Sequence, residues 1–244
     1  MSTREDWQRR LGPLYGGAVA LVHSTPWRWP TEVGDEARSA GWIVALGAPV
    51  GLAAWVVARL FLAAGIPSPI AAIVGLAMLT LGSAALVERG LSESIDRWQG
   101  MGRSPGVASV MTLVFLTLIR AGAVLVVPPS QWLWLFLATA VIGRWAAVFL
   151  QAIGDPIGVD ETQRSLVATP APAWLIAAIS GGVLALAVVA MGKLGLVAMA
   201  LVAVCVFGLG LVSQRRDGGL TPAIVAVAAA VGEIAVLLIA TIGR

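Results

Sequence analysis

Seven near-continuous apolar runs of about twenty residues dominate this sequence, and they decide the solvent it folds in. They cover 42–64, 66–86, 107–127, 132–151, 174–191, 194–212 and 221–242. A helix of that length matches the hydrocarbon thickness of a bilayer, whereas a membrane barrel strand needs only about ten residues of alternating pattern. The breaks between runs carry turn chemistry: Gly65-Ile-Pro67-Ser-Pro69, Pro128-Pro129, Pro170-Ala-Pro172, Gly192-Lys193 and Asp217-Gly218-Gly219. Only 12% of the residues are charged against 59% hydrophobic, and a soluble domain carries about 25% charge. That balance excludes a water-soluble globule, a disordered chain and a nucleic-acid-binding domain. The sequence therefore predicts one all-α integral membrane domain over 1–244, a polytopic helix bundle of about seven spans. Recurrent Ala, Gly, Ser and Thr within the runs permit close helix approach. The one cysteine, Cys205, rules out a disulfide framework and is expected in the core.

Residues 1–41 form a polar N-terminal segment. Its apolar stretch 14–22 is too short to span and reads as a short interfacial or re-entrant helix, with Trp27 and Trp29 at interface level. Basic residues set the orientation. Arg4, Arg9, Arg10, Arg28, Arg38, Arg89, Arg97, Arg103, Arg164, Arg215 and Arg216 fall on one side of the runs; Lys193 and Arg244 fall on the other. This bias predicts a cytoplasmic N-terminus. Arg59, Arg120 and Arg144 lie inside the runs or near their ends. All the carboxylates except Glu233 share the basic side, and the opposite loops are short and bare. Polar chemistry on one face suits an enzyme using cytoplasmic solutes better than a transporter, which places polar groups at both faces and the midplane.

Two loops and two buried charges are candidates for that chemistry. After the second run, Glu93 and Asp96 are three residues apart, so on a helix both carboxylates share a face and can share a cation. Mg²⁺ takes one or two carboxylates plus water and phosphate oxygens. A solvated juxtamembrane helix is the competing reading. Before the last run stands Arg215-Arg216-Asp217-Gly218-Gly219-Leu220-Thr221-Pro222, where guanidinium groups and glycine backbone can approach a phosphate. Thr221 suits a helix cap and Pro222 a first helical position; a positive-inside anchor is the competing reading. Arg144 and Glu233 lie deep in apolar runs, so each is expected to face the bundle interior or snorkel to an interface, with each other or Arg120 as candidate partners. His23 has no catalytic partner beside it in sequence.

Both loops resemble, in order and spacing, the adenosylcobinamide-GDP ribazoletransferase (cobalamin synthase) family. That family's early motif is approximately Thr-Gly-Ala-Leu-His-Glu-Asp-Gly-Leu-Ala-Asp-x-x-Asp-Gly-Phe. Here Ser83-Ala-Ala-Leu-Val-Glu-Arg-Gly-Leu-Ser-Glu-Ser-Ile-Asp-Arg-Trp98 follows it without a gap. The family's late motif, approximately Arg-Arg-x-Gly-Gly-x-Thr-Gly-Asp, looks like Arg215-Arg-Asp-Gly-Gly-Leu-Thr-Pro-Ala223, with Glu233 at the family's following Glu. Gly143-Arg144 looks like its central Ser-Arg pair. The resemblance is collinear over most of the chain. It implies transfer between adenosylcobinamide-GDP and α-ribazole or its 5′-phosphate, with release of GMP. It also implies Mg²⁺ as cofactor and the bacterial inner membrane as location. Glu93 and Asp96 are then the metal ligands and, with Glu233, the catalytic residues. Arg144, Arg215, Arg216, Gly218, Gly219 and Thr221 are the substrate-binding residues. Partners implied are a second copy or other cobalamin-assembly enzymes, and no nucleic acid.

The chain departs from the pattern at Val87 for His, Arg89 for the first Asp, Glu93 for the second Asp, and Pro222-Ala223 for Gly-Asp. About fourteen residues that follow the acids in the family are missing near 100–106. These departures keep open a catalytically impaired homologue acting as a scaffold or partner subunit, and behind it a small-solute transporter.

Overall fold

A computed structural model describes residues 3–27, 39–100, 106–155, 157 and 171–242. Every regular element described is helical, as expected. Two short helices, α1 (Thr3–Leu11) and α2 (Tyr15–Ser24), come first. The expected short helix over 14–22 is α2, and its residues Val19, Ala20, Val22 and Ser24 are buried. Then α3 (Ser39–Ala45) and α4 (Gly47–Ala63) together form the first span. Helices α5 (Ser68–Gly82) and α6 (Leu86–Trp98) follow, then α7 (Val107–Val126), α8 (Trp132–Ile153), α9 (Ala173–Met191), α10 (Lys193–Asp217) and α11 (Pro222–Ile242). Among the described residues six helical segments are long and apolar enough to cross a membrane, and a seventh span results if α5 and α6 count as one. Arg28, Arg38, Arg103, Arg164 and Arg244, counted for the orientation, and Trp29, expected at interface level, lie outside the described residues.

The boundaries follow local chemistry. Pro67 precedes α5 with extended backbone, and Ser68-Pro69 open the helix where a missing amide N–H is harmless. Gly192 turns α9 into α10 with φ 61° and ψ −137°, a conformation essentially restricted to glycine. Helix α10 runs five residues beyond the expected span, so Arg215 and Arg216 occupy its last turn instead of a loop. Cations are favoured there by the helix dipole. Gly218, with φ 79°, ends the helix in the left-handed conformation.

Helices α8 and α11 form the centre: 78% and 72% of their apolar windows are buried, against 11% for α9. In hydrocarbon, burying apolar surface yields little, so close packing and polar contacts must hold the bundle. The close packing depends on small residues. A Cβ at Gly51 of α4 would lie 2.7 Å from the Leu137 Cα, and one at Gly232 of α11 would lie 3.0 Å from the Gly143 Cα of α8. Cys205 does not pack in the core. It is exposed on α10, an outer helix only a third of whose apolar window is buried among the described residues, so its far face can carry any apolar residue.

The expected second span, 66–86, is broken. Helix α5 stops at Gly82, and α6 leaves it at 73°. Ala84 and Ala85 turn the chain with φ 54° and 52°, left-handed values that non-glycine residues seldom adopt.

Candidate functional site

The charges expected inside the spans meet where α6 begins. Glu233 on α11, Arg120 on α7 and Arg144 on α8 are 6%, 3% and 6% exposed. Of the partners open to Glu233, the fold selects Arg120: its Nη2 donates to the Glu233 carboxylate in a short ion pair. The Nη1 of Arg120 donates to Glu88 Oε1 at 2.5 Å, and the Thr80 hydroxyl donates to the same oxygen at 3.3 Å. Gly143 makes room for this arrangement, since a Cβ there would lie 2.6 Å from the Glu233 Cγ. Arg120 and Glu88 were not among the candidate site residues. The available signal was a mid-span arginine, which must find a carboxylate.

Arg144 stands beside this group. Its Nη1 donates to the Ala140 carbonyl at 3.3 Å, while Nε and Nη2 have no hydrogen-bond partner among the described residues. Arg144 and Glu233 line one small cavity of about 10 Å³ with Ser24, Ser83, Leu86, Val87, Ala147 and Ala229, space for roughly one water molecule.

The remaining candidates collect at one end of the bundle. Helix α6 runs along α11, its Gly90 seated against Ala223 and Ala226. Its tail reaches α10, where Arg216 Nη2 donates to the Trp98 carbonyl at 2.6 Å and the guanidinium lies 5.5 Å from the indole centroid. Arg216 therefore caps α6 and stacks on it. Arg215 is exposed one residue away. Thr221 caps α11 by accepting the Ile224 amide at 3.3 Å. Gly218 has open space around it, whereas a Cβ at Gly219 would lie 2.8 Å from the Asp155 carbonyl oxygen. Gly219 is thus pressed against the chain leaving α8, where Leu220 N–H bonds the Asp155 carbonyl at 2.8 Å and Ile157 N–H bonds the Leu220 carbonyl at 3.1 Å.

Glu93 and Asp96 lie on the last turns of α6. Glu93 is exposed and pairs with Arg97 at 3.1 Å; Asp96 accepts the Gly106 amide at 2.9 Å. Among the described residues no three His, Cys, Asp or Glu gather as a metal cage. The donor set is two hard carboxylates a turn apart on α6, held by Arg97 and the Gly106 amide. It suits Mg²⁺ only as a pair completed by substrate phosphates and water.

A family model described as cobalamin-5-phosphate synthase matches residues 18–241. No curated protein and no solved structure matches the chain.

Proposed function

The chain belongs to the cobalamin-5-phosphate synthase family, and from that premise we propose that it is an adenosylcobinamide-GDP ribazoletransferase. Membership supports cobalamin synthase activity and a role in cobalamin biosynthesis. In the proposed reaction a ribose hydroxyl of α-ribazole, or of its 5′-phosphate, forms a P–O bond to the phosphorus that bears cobinamide. The P–O bond to GMP breaks, GMP leaves with the electron pair, and the hydroxyl gives up its proton. Such transfers depend mainly on positioning and charge neutralisation.

One observation carries this reading. The two segments holding the family's motifs, 118 residues apart, meet through the Arg216–Trp98 bond. Arg215 and the open backbone at Gly218 receive the pyrophosphate. Gly219, Thr221 and Arg216 hold that loop and α6 together. Arg144, whose Nε and Nη2 have no hydrogen-bond partner among the described residues, supplies positive charge beside the site, and the water-sized cavity it shares with Glu233 is too small for the substrate itself. Mg²⁺, held by Glu93 and Asp96, would neutralise phosphate charge when bound. We place the protein in the bacterial inner membrane with its N-terminus cytoplasmic, so that this end faces the soluble substrates.

A second reading, a scaffold or partner subunit without turnover, is favoured by the commitment of Glu88 to Arg120 and of Glu93 to Arg97. The test is GMP release by purified protein in liposomes with adenosylcobinamide-GDP, α-ribazole and varied Mg²⁺. Mg²⁺-dependent release is expected, lowered about a hundredfold or more by Asp96→Asn, a loss of roughly 2.7 kcal/mol in transition-state stabilisation. No release above a protein-free blank would refute the transferase and promote the scaffold. Release untouched by Asp96→Asn would keep the transferase and remove this metal site.

A further inference from the structure

We propose that Arg120 and Glu88 are positioning residues: with Glu233 they form a buried lock that holds the broken span and aims the Glu93–Asp96 turn of α6 at the loop between α10 and α11. The consequence for turnover rests on the transferase reading; the lock itself rests on geometry alone.

The break needs something to hold it. Alanine is a strong helix former, yet Ala84 and Ala85 both stand in the left-handed region, with the axis turned by 73°. A backbone of this kind persists where its surroundings over-determine it. Glu88, in the first turn of α6, accepts from Arg120 of α7 at 2.5 Å and from Thr80 of α5 at 3.3 Å. The second arm of Arg120 grips Glu233 of α11. One guanidinium thus ties α6, α7 and α11, and Glu88 extends the tie to α5 through Thr80. Arg120 and Glu233 are buried in an apolar bundle and Glu88 is one-fifth exposed, so little water competes for these partners and the connection is directional as well as favourable.

The aim follows from rigidity. Asp96 lies eight residues beyond Glu88, about 12 Å along a helix rising 1.5 Å per residue. A swing of about 10° at Glu88 therefore displaces Asp96 by roughly 2 Å, and a misplacement of about 1 Å can cost a reaction a factor of about a hundred. Between the two, Gly90 docks on α11 and Ser94 is buried at 2% exposure.

Ser94 supplies a readout independent of activity. Its hydroxyl has no partner among the described residues, so Ser94→Cys in a Cys205→Ala background is a small change, and maleimide reaches the introduced thiol only when α6 lifts. The paired variant Glu88→Gln/Arg120→Gln keeps the bundle's charge balance. With folding checked by thermal unfolding in detergent, labelling is expected to rise about tenfold or more, because local opening sets access. The kcat for GMP release should fall about tenfold or more with KM for both substrates within about threefold, the pattern of lost transition-state positioning. Arg120→Lys, which keeps the cation but loses the fork, should fall between. A folded paired variant with unchanged labelling and kcat would overturn the proposal. If the pair does not fold, Arg120→Lys and Glu88→Asp decide it by the same two readouts. If the unaltered protein releases no GMP, the transferase reading fails while labelling still judges the lock.

Discussion

Gly90→Ala probes how α6 is seated. A Cβ at this position would overlap the Cβ of Ala226 and lie 3.0 Å from the Ala223 carbonyl oxygen and 3.5 Å from its Cα. Carbon atoms pack best at about 3.5–4.0 Å, so α6 must retreat by roughly 1 Å or strain its neighbours. Neither neighbouring group is the far end of a flexible chain: one is a methyl fixed to the α11 backbone, the other is that backbone. Overpacking of this kind costs about 1–3 kcal/mol. Alanine in a helix interior returns about 0.5–1 kcal/mol relative to glycine. The net expectation is a loss of about 0.5–2 kcal/mol. The accompanying shift of α6 should lower GMP release by up to about a hundredfold. Denaturant unfolding in detergent micelles, followed by circular dichroism, measures the first quantity. Adding Ala226→Gly removes one of the two obstructions, and the double-mutant cycle should show a favourable coupling of about 1 kcal/mol. Stability at or above that of the unaltered protein, with no coupling to position 226, would refute the seating of α6 on α11.

Other expectations follow from single contacts. Ala85→Gly should leave stability equal or raise it by up to about 1 kcal/mol, because glycine carries no left-handed penalty, whereas Ala85→Val should lower it by more than about 1 kcal/mol. Both are read from unfolding midpoints. Trp132→Phe removes the Nε1 donor to the Val127 carbonyl at 2.9 Å and should cost about 1–2 kcal/mol by leaving a buried carbonyl unpaired. In a Cys205→Ala background, cysteines introduced by Ser104→Cys and Ser130→Cys should label from opposite sides of the membrane, and equal labelling at position 104 from outside would overturn the orientation.

The last motif loop shows how local signals and packing divide the work. Thr221 as cap, Pro222 as first helical residue and Gly218 as helix stop are all readable from residue type, because each answers a backbone demand within a few residues. The use of Gly219 is not readable. Its missing side chain makes room for the chain at Asp155, which no local pattern connects to it. Arg216 likewise has the composition of a phosphate ligand, yet it caps Trp98 because α6 ends there.

Sequence by itself determined the solvent, the helical class and six of the seven spans to within a few residues, because about twenty apolar residues in hydrocarbon have one way to satisfy their backbone. It also pointed Arg144 and Glu233 inward and offered Arg120 as a partner. Tertiary structure decided which charges pair. It brought Arg120 to Glu88 and Glu233 and left Arg144 Nε and Nη2 without a partner among the described residues. It also broke the run 66–86 at Ala84 and Ala85, the residue type best suited to continue a helix. No span can place these by itself, since the energy of an ion pair or a close-packed glycine belongs to two helices at once. Only their assembly makes a bent chain with the Arg120 ion pairs more favourable than a straight one without them.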